Sequence, residues 1–108
     1  MIQVTYYRNH HRVTVEGHAR SADPGHDLVC AGASTLAYTL AANIGNLEAR
    51  GQLRSAHVKL EPGNAELSCV PRTKYSSVVT LIFDALCAGF ELLARDNPKY
   101  ISYEIHQG

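Results

Sequence analysis

A histidine and a cysteine stand close together in the stretch Gly17-His18-Ala19, a polar loop, then Gly25-His26-Asp27-Leu28-Val29-Cys30-Ala31-Gly32-Ala33-Ser34. A thiolate is a nucleophile, and a neighbouring imidazole can take its proton and later return it to a leaving group. Asp27 is a favoured helix N-cap directly before an apolar run from Leu28, which makes Cys30 the third helical residue. There, unpaired N–H groups and a partial positive charge favour thiolate over thiol. The Asp27 carboxylate partly offsets that field, so a cationic partner is needed, and His18, at a strand exit, can supply it. Asp27 can alternatively orient an imidazole, although capping comes first. Ala31, Gly32 and Ala33 add little bulk and would let a substrate backbone approach. The N–H of Cys30 or Ala31 is a candidate oxyanion donor if acyl transfer occurs here. Ser34, one turn on, either contacts substrate or bonds back to the helix.

Three other readings of these residues stay open. Cysteine is among the most buried residue types, so Cys30 can equally be inert packing. The chain can be a non-enzymatic module that holds a peptide or a second subunit, for which no reactive thiol is needed. His18, His26 and Cys30 are zinc-ligand types, but their spacing matches no established motif, and no metal or other cofactor is expected.

The elements that must position these residues follow from periodicity. Ile2, Val4 and Tyr6 alternate, as do Val13 and Val15, around a turn at Arg8-Asn9-His10-His11, which predicts an opening hairpin with His18 at its exit. Residues 19–26 have no hydrophobic period and read as a loop able to act as a lid. From Leu28 to about Arg50, Val29, Ala33, Leu36, Leu40, Ile44 and Leu47 recur at helical spacing, and Gly51 can end the helix. A second stripe of small residues, Cys30, Ser34, Ala37 and Ala41, would face the sheet or a partner. Val58 and Leu60, then Leu67 and Cys69, flank Glu61-Pro62-Gly63-Asn64 and predict a second hairpin. Val79, Ile82, Leu86, Phe90 and Leu93 define another helix from about Lys74 to Arg95, stopped at Asn97-Pro98, and Ile101, Tyr103 and Ile105 form a closing strand. The order β-β-α-β-β-α-β predicts an α+β two-layer domain, two helices on one face of a mainly antiparallel sheet.

A chain of 108 residues, 45% hydrophobic, suits one domain over 1–108 with one core. Ten basic and ten acidic residues leave no net charge to attract nucleic acid or an anionic membrane. No leader is evident, no segment reads as long enough to span a bilayer, and a cytoplasmic location is expected. Cys30, Cys69 and Cys87 contain no C-x-x-C pair, which argues against a disulfide scaffold or zinc ribbon. Cys69 and Cys87 read as packing residues. His10, His11, His57 and His106 fall at turns or strand ends and read as exposed polar groups.

The Gly17-His18-Ala19 and Gly25-to-Ser34 segments together resemble the Prp family, the bacterial ribosomal-processing cysteine proteases, and the order of elements over nearly the whole chain is similar too. The resemblance implies a catalytic dyad of His18 and Cys30, with Gly17, Asp27 and Ser34 also at motif positions. It implies an endopeptidase that removes the N-terminal extension of a large-subunit ribosomal protein after a short apolar, Phe-containing segment. It further implies a homodimer. Prophage-encoded relatives make a phage structural protein the alternative substrate.

Overall fold

The computed structural model describes residues 1–17 and 24–108, and for Pro24, Gly25 and His26 the backbone only. Five strands, β1 (Ile2–Tyr7), β2 (Arg12–Glu16), β3 (Leu53–Glu61), β4 (Asn64–Pro71) and β5 (Ile101–His106), form one sheet. Two helices, α1 (Pro24–Ala49) and α2 (Ser76–Asp96), complete the β-β-α-β-β-α-β order. The spatial order is β3-β4-β2-β1-β5. All pairings are antiparallel except β1 with β5, which is parallel, so the sheet is mixed.

Alternation along the strands sorts the two faces. Ile2, Val4, Tyr6, Val13, Leu67 and Cys69 point into the core, and α1 packs toward β3 and β4 while α2 packs toward β5. The other face carries residues such as Arg12, His57 and Glu66 and is open to solvent, apart from Thr14, which is buried between its cross-strand neighbours Thr5 and Glu66.

The α1 core stripe is the one its periodicity predicts: Val29, Ala33, Leu40, Ile44 and Leu47 are buried and Leu36 packs against them. Its start differs. The helix begins at Pro24, a residue suited to a first helical position because it has no N–H to leave unpaired. Asp27 is therefore inside the helix and not its N-cap. In α2 the buried line is Val79, Phe83, Cys87 and Phe90, whereas Ile82, Leu86 and Leu93 are only partly buried. The two helices meet closely where Gly89 faces Leu36: a Cβ at 89 would lie 2.7 Å from the Leu36 Cδ2 methyl.

By length and composition alone, both helices are apolar enough to cross a membrane, contrary to the sequence expectation. Alanines raise the mean hydropathy of α1, and the large aliphatic and aromatic side chains that of α2, but each lays one face on the sheet and its neighbour helix. His11 also departs from expectation. It is buried in a left-handed conformation (φ 46°), its ring edge against Phe83 and its Nε2 2.7 Å from the Thr80 hydroxyl.

Candidate active site

A cleft of about 300 Å³ opens where α1 passes over one end of the sheet. The helix contributes Cys30, Ala33, Ser34, Ala37 and Tyr38. Positions 30, 34, 37 and 38 share one helical face, since residues three, four and eight apart align along the axis. Opposite them lie Ile2 at the start of β1, Val15 and Gly17 at the end of β2, and the Leu60–Ala65 turn. The register explains this assembly. β4 pairs with β2 so that Asn64 faces Glu16, which brings the β3–β4 turn beside the β2 exit.

Gly17 is the pivot of that arrangement. Its N–H donates to the Gly63 carbonyl at 3.0 Å, and its φ of 112° lies where side chains are rarely tolerated. A Cβ there would also collide with the carbonyl oxygen of Met1. Glycine is thus required both by torsion and by the close approach of the first strand.

The cleft walls are apolar at Ile2, Val15, Ala33, Ala37, Leu60 and Ala65, with polar groups at Ser34, Glu61 and Asn64. Tyr38 is 62% exposed and lines the cleft at the far end of the helical row from Cys30. Such a trough suits an extended peptide with apolar side chains, presented beside one half-buried thiol. The other two cysteines are elsewhere: burial in the core pushes the Cys69 thiol up to about 11 and the Cys87 thiol up to about 12.

Of the residues singled out in the sequence, Gly17, Cys30 and Ser34 meet in this cleft. Asp27 is exposed one turn before Cys30. Ala31 lines a different groove, between α1 and α2, with Gly32, Leu36, Gly89 and Leu93. Because α1 starts at Pro24, Cys30 is its seventh residue. The N–H groups of Cys30 and Ala31 lie beyond the four that a helix start leaves unpaired, so neither is an available oxyanion donor, and the first-turn dipole argument does not apply. His18 and most of the 19–26 loop lie outside the described residues, as does the side chain of His26, and the His18, His26, Cys30 zinc reading falls there too. Tyr38 shares the helical face of Cys30 and was open to the same periodicity argument, whereas Leu60 and the Glu61–Asn64 turn carry no local signal, because only the β2–β4 pairing brings them to Cys30.

A two-layer α+β fold that sets a half-buried thiol in a largely apolar cleft is an arrangement a cysteine hydrolase can use. Residues 1–102 match the family model described as cysteine protease Prp. The chain belongs to the Prp family and is a cysteine protease. The crystal structure of SMU.848 from Streptococcus mutans is 28% identical, with a TM-score of 0.71, covering 100% of this chain and 96% of that one. The essential ribosomal processing protease Prp from S. aureus, in complex with a substrate peptide, is 16% identical with a TM-score of 0.69, covering 97% of each chain. The same S. aureus protease with a covalently linked product peptide is 18% identical, again with a TM-score of 0.69 and 97% of each chain covered. These two show the shared fold. No curated protein sequence matches.

Proposed function

We propose that this protease uses Cys30 as nucleophile and His18 as base to remove the N-terminal extension of a large-subunit ribosomal protein in the cytosol, cutting after a short apolar, Phe-containing segment. The observation that carries the reading is exclusive: Cys30 lines the cleft, whereas Cys69 and Cys87 are sealed in the core. Gly17, which lines the same cleft, is bonded directly to His18. The apolar walls suit an apolar segment, and the S. aureus relative is a ribosomal processing protease.

In the proposed cycle, His18 accepts the Cys30 proton and the thiolate attacks the scissile carbonyl. The tetrahedral intermediate collapses as His18 protonates the departing amine, leaving a thioester. His18 then deprotonates a water that attacks the thioester, and the Cys30 thiolate leaves and regains its proton. Ser34 lines the cleft one turn beyond Cys30 and supports the bound peptide.

The test is incubation with a peptide carrying a Phe-containing ribosomal extension, read by mass spectrometry for wild type, Cys30→Ala and His18→Ala. Cleavage by wild type alone supports the reading. Cleavage that survives in either folded variant overturns the dyad, and no cleavage by wild type overturns the substrate.

A further inference from the structure

Tyr38 is the one aromatic side chain among the described residues that line the Cys30 cleft, and it stands largely in solvent. The neighbouring hydroxyls on α1 are engaged locally, since Thr35 and Thr39 each donate to a carbonyl one turn back. The Tyr38 hydroxyl has no hydrogen bond, and its ring no aromatic partner, among the described residues. Between Cys30 and Tyr38 the helix side of the cleft is made of Ala33, Ser34 and Ala37, all too small to grip a side chain. The first large surface that a peptide meets on this wall, beyond the thiol, is the Tyr38 ring. Leu60 belongs to the opposite wall and is apolar too.

Helical geometry turns this position into a distance. Cys30 and Tyr38 are eight residues apart, which at about 1.5 Å per residue is about 12 Å along α1. An extended peptide advances about 3.3 Å per residue, so one lying along the row covers that distance in three to four residues. We infer that Tyr38 is a specificity-determining residue, whose ring receives a large apolar side chain at the third or fourth residue before the cut. The inference rests on the proposed function, which makes Cys30 the nucleophile and puts an apolar segment before the scissile bond. An aromatic face takes aromatic and aliphatic side chains alike, and gains nothing from glycine. The contact lies away from the reacting carbonyl and is equally strong before and during reaction, so it acts on KM and not on kcat.

The test profiles cleavage of a randomised synthetic peptide library by mass spectrometry, with no ribosomal sequence fixed, so that it stands or falls apart from the ribosomal assignment. Wild type is expected to favour large apolar side chains at the third or fourth position before the cut. Tyr38→Ala is expected to lose that preference while keeping its preference next to the cut, and Tyr38→Phe to retain both. Because Tyr38 is exposed, both variants keep the fold. On one cleaved peptide, Tyr38→Ala is expected to lower kcat/KM about tenfold through KM. Replacing the apolar residue of that peptide by glycine should cost wild type the same factor and Tyr38→Ala nothing more. No wild-type preference at those positions, a preference that survives Tyr38→Ala, a loss in kcat alone, or losses that add between variant and glycine peptide would each overturn the inference. Cleavage that persists in Cys30→Ala would remove the nucleophile from which the distance is measured and overturn it together with the dyad.

Discussion

The Gly17 amide donates to the Gly63 carbonyl at 3.0 Å, fastening the exit of β2 to the β3–β4 turn that forms one wall of the Cys30 cleft. Gly17→Ala puts a side chain at a φ of 112° and against the Met1 carbonyl. The expected cost is about 1–3 kcal/mol of stability, together with loss of peptide cleavage at temperatures where the variant is still folded. Replacing Gly17 by D-alanine, through chemical ligation at Cys30, suits positive φ and places the methyl on the other side. It is expected to restore both properties. Thermal melts and cleavage assays on the three proteins check this, and equal activity of the L-alanine variant would refute it.

The three thiols should separate by environment. Burial holds Cys69 and Cys87 protonated at neutral pH, up to about 11 and about 12, while Cys30 opens to the cleft. Iodoacetamide at pH 7 is expected to give one adduct, mapped to Cys30, with the other two modified only in denaturant. Mass spectrometry of the native protein decides, and a native adduct on Cys69 or Cys87 would contradict the core assignment.

The order of elements was legible because each is signalled locally. Val29, Leu40, Ile44 and Leu47 give the helical period of α1, and Glu61-Pro62-Gly63-Asn64 marks the second turn. The site was legible only as a pair of neighbouring motifs. Leu60 and the Glu61–Asn64 turn join Cys30 through the β2–β4 pairing, a contact between distant segments that no local period encodes, whereas Tyr38 shares the helical face of Cys30 two turns on. The start of α1 was misplaced because Asp27 satisfies the rules for an N-cap while Pro24 satisfies those for a first helical residue. His11 looked like a turn residue, and its partner Thr80 is sixty-nine positions away.

That buried imidazole makes stability pH-dependent. Burial, with Arg8 nearby, lowers the His11 value below its ordinary 6.5, against a smaller opposing pull from Asp84, with His10 lowering it slightly. The fold therefore holds His11 neutral. Its contribution is fully present above about pH 6.5 and is lost as the pH falls through the lowered value. The melting temperature is expected to drop between pH 7 and pH 5. His11→Asn, which tolerates the left-handed backbone, should flatten that slope. An unchanged slope in the variant would assign the effect to other groups.

Asp84 contributes in a lower pH window. Its carboxylate accepts from Arg8 Nε and Nη2, both at 3.0 Å, and from the Tyr6 hydroxyl at 2.8 Å. The Arg8 hydrogen bonds, helped by Tyr6 and opposed by partial burial, hold Asp84 below its ordinary 3.8. A lowered carboxyl stabilises the fold above that ordinary value and loses its contribution as pH falls through the folded one. Both side chains of the ion pair are 37% exposed, so water screens the charge, and Asp84→Asn is expected to cost about 1 kcal/mol. Asp84→Ala should cost about 1–3 kcal/mol, because the Tyr6 hydroxyl, on a fully buried ring, is left without its acceptor. Urea denaturation at pH 7 and again near pH 3 measures both. The gap between wild type and Asp84→Asn is expected to shrink at the lower pH, and a gap that stays constant would show that the carboxylate's charge contributes nothing.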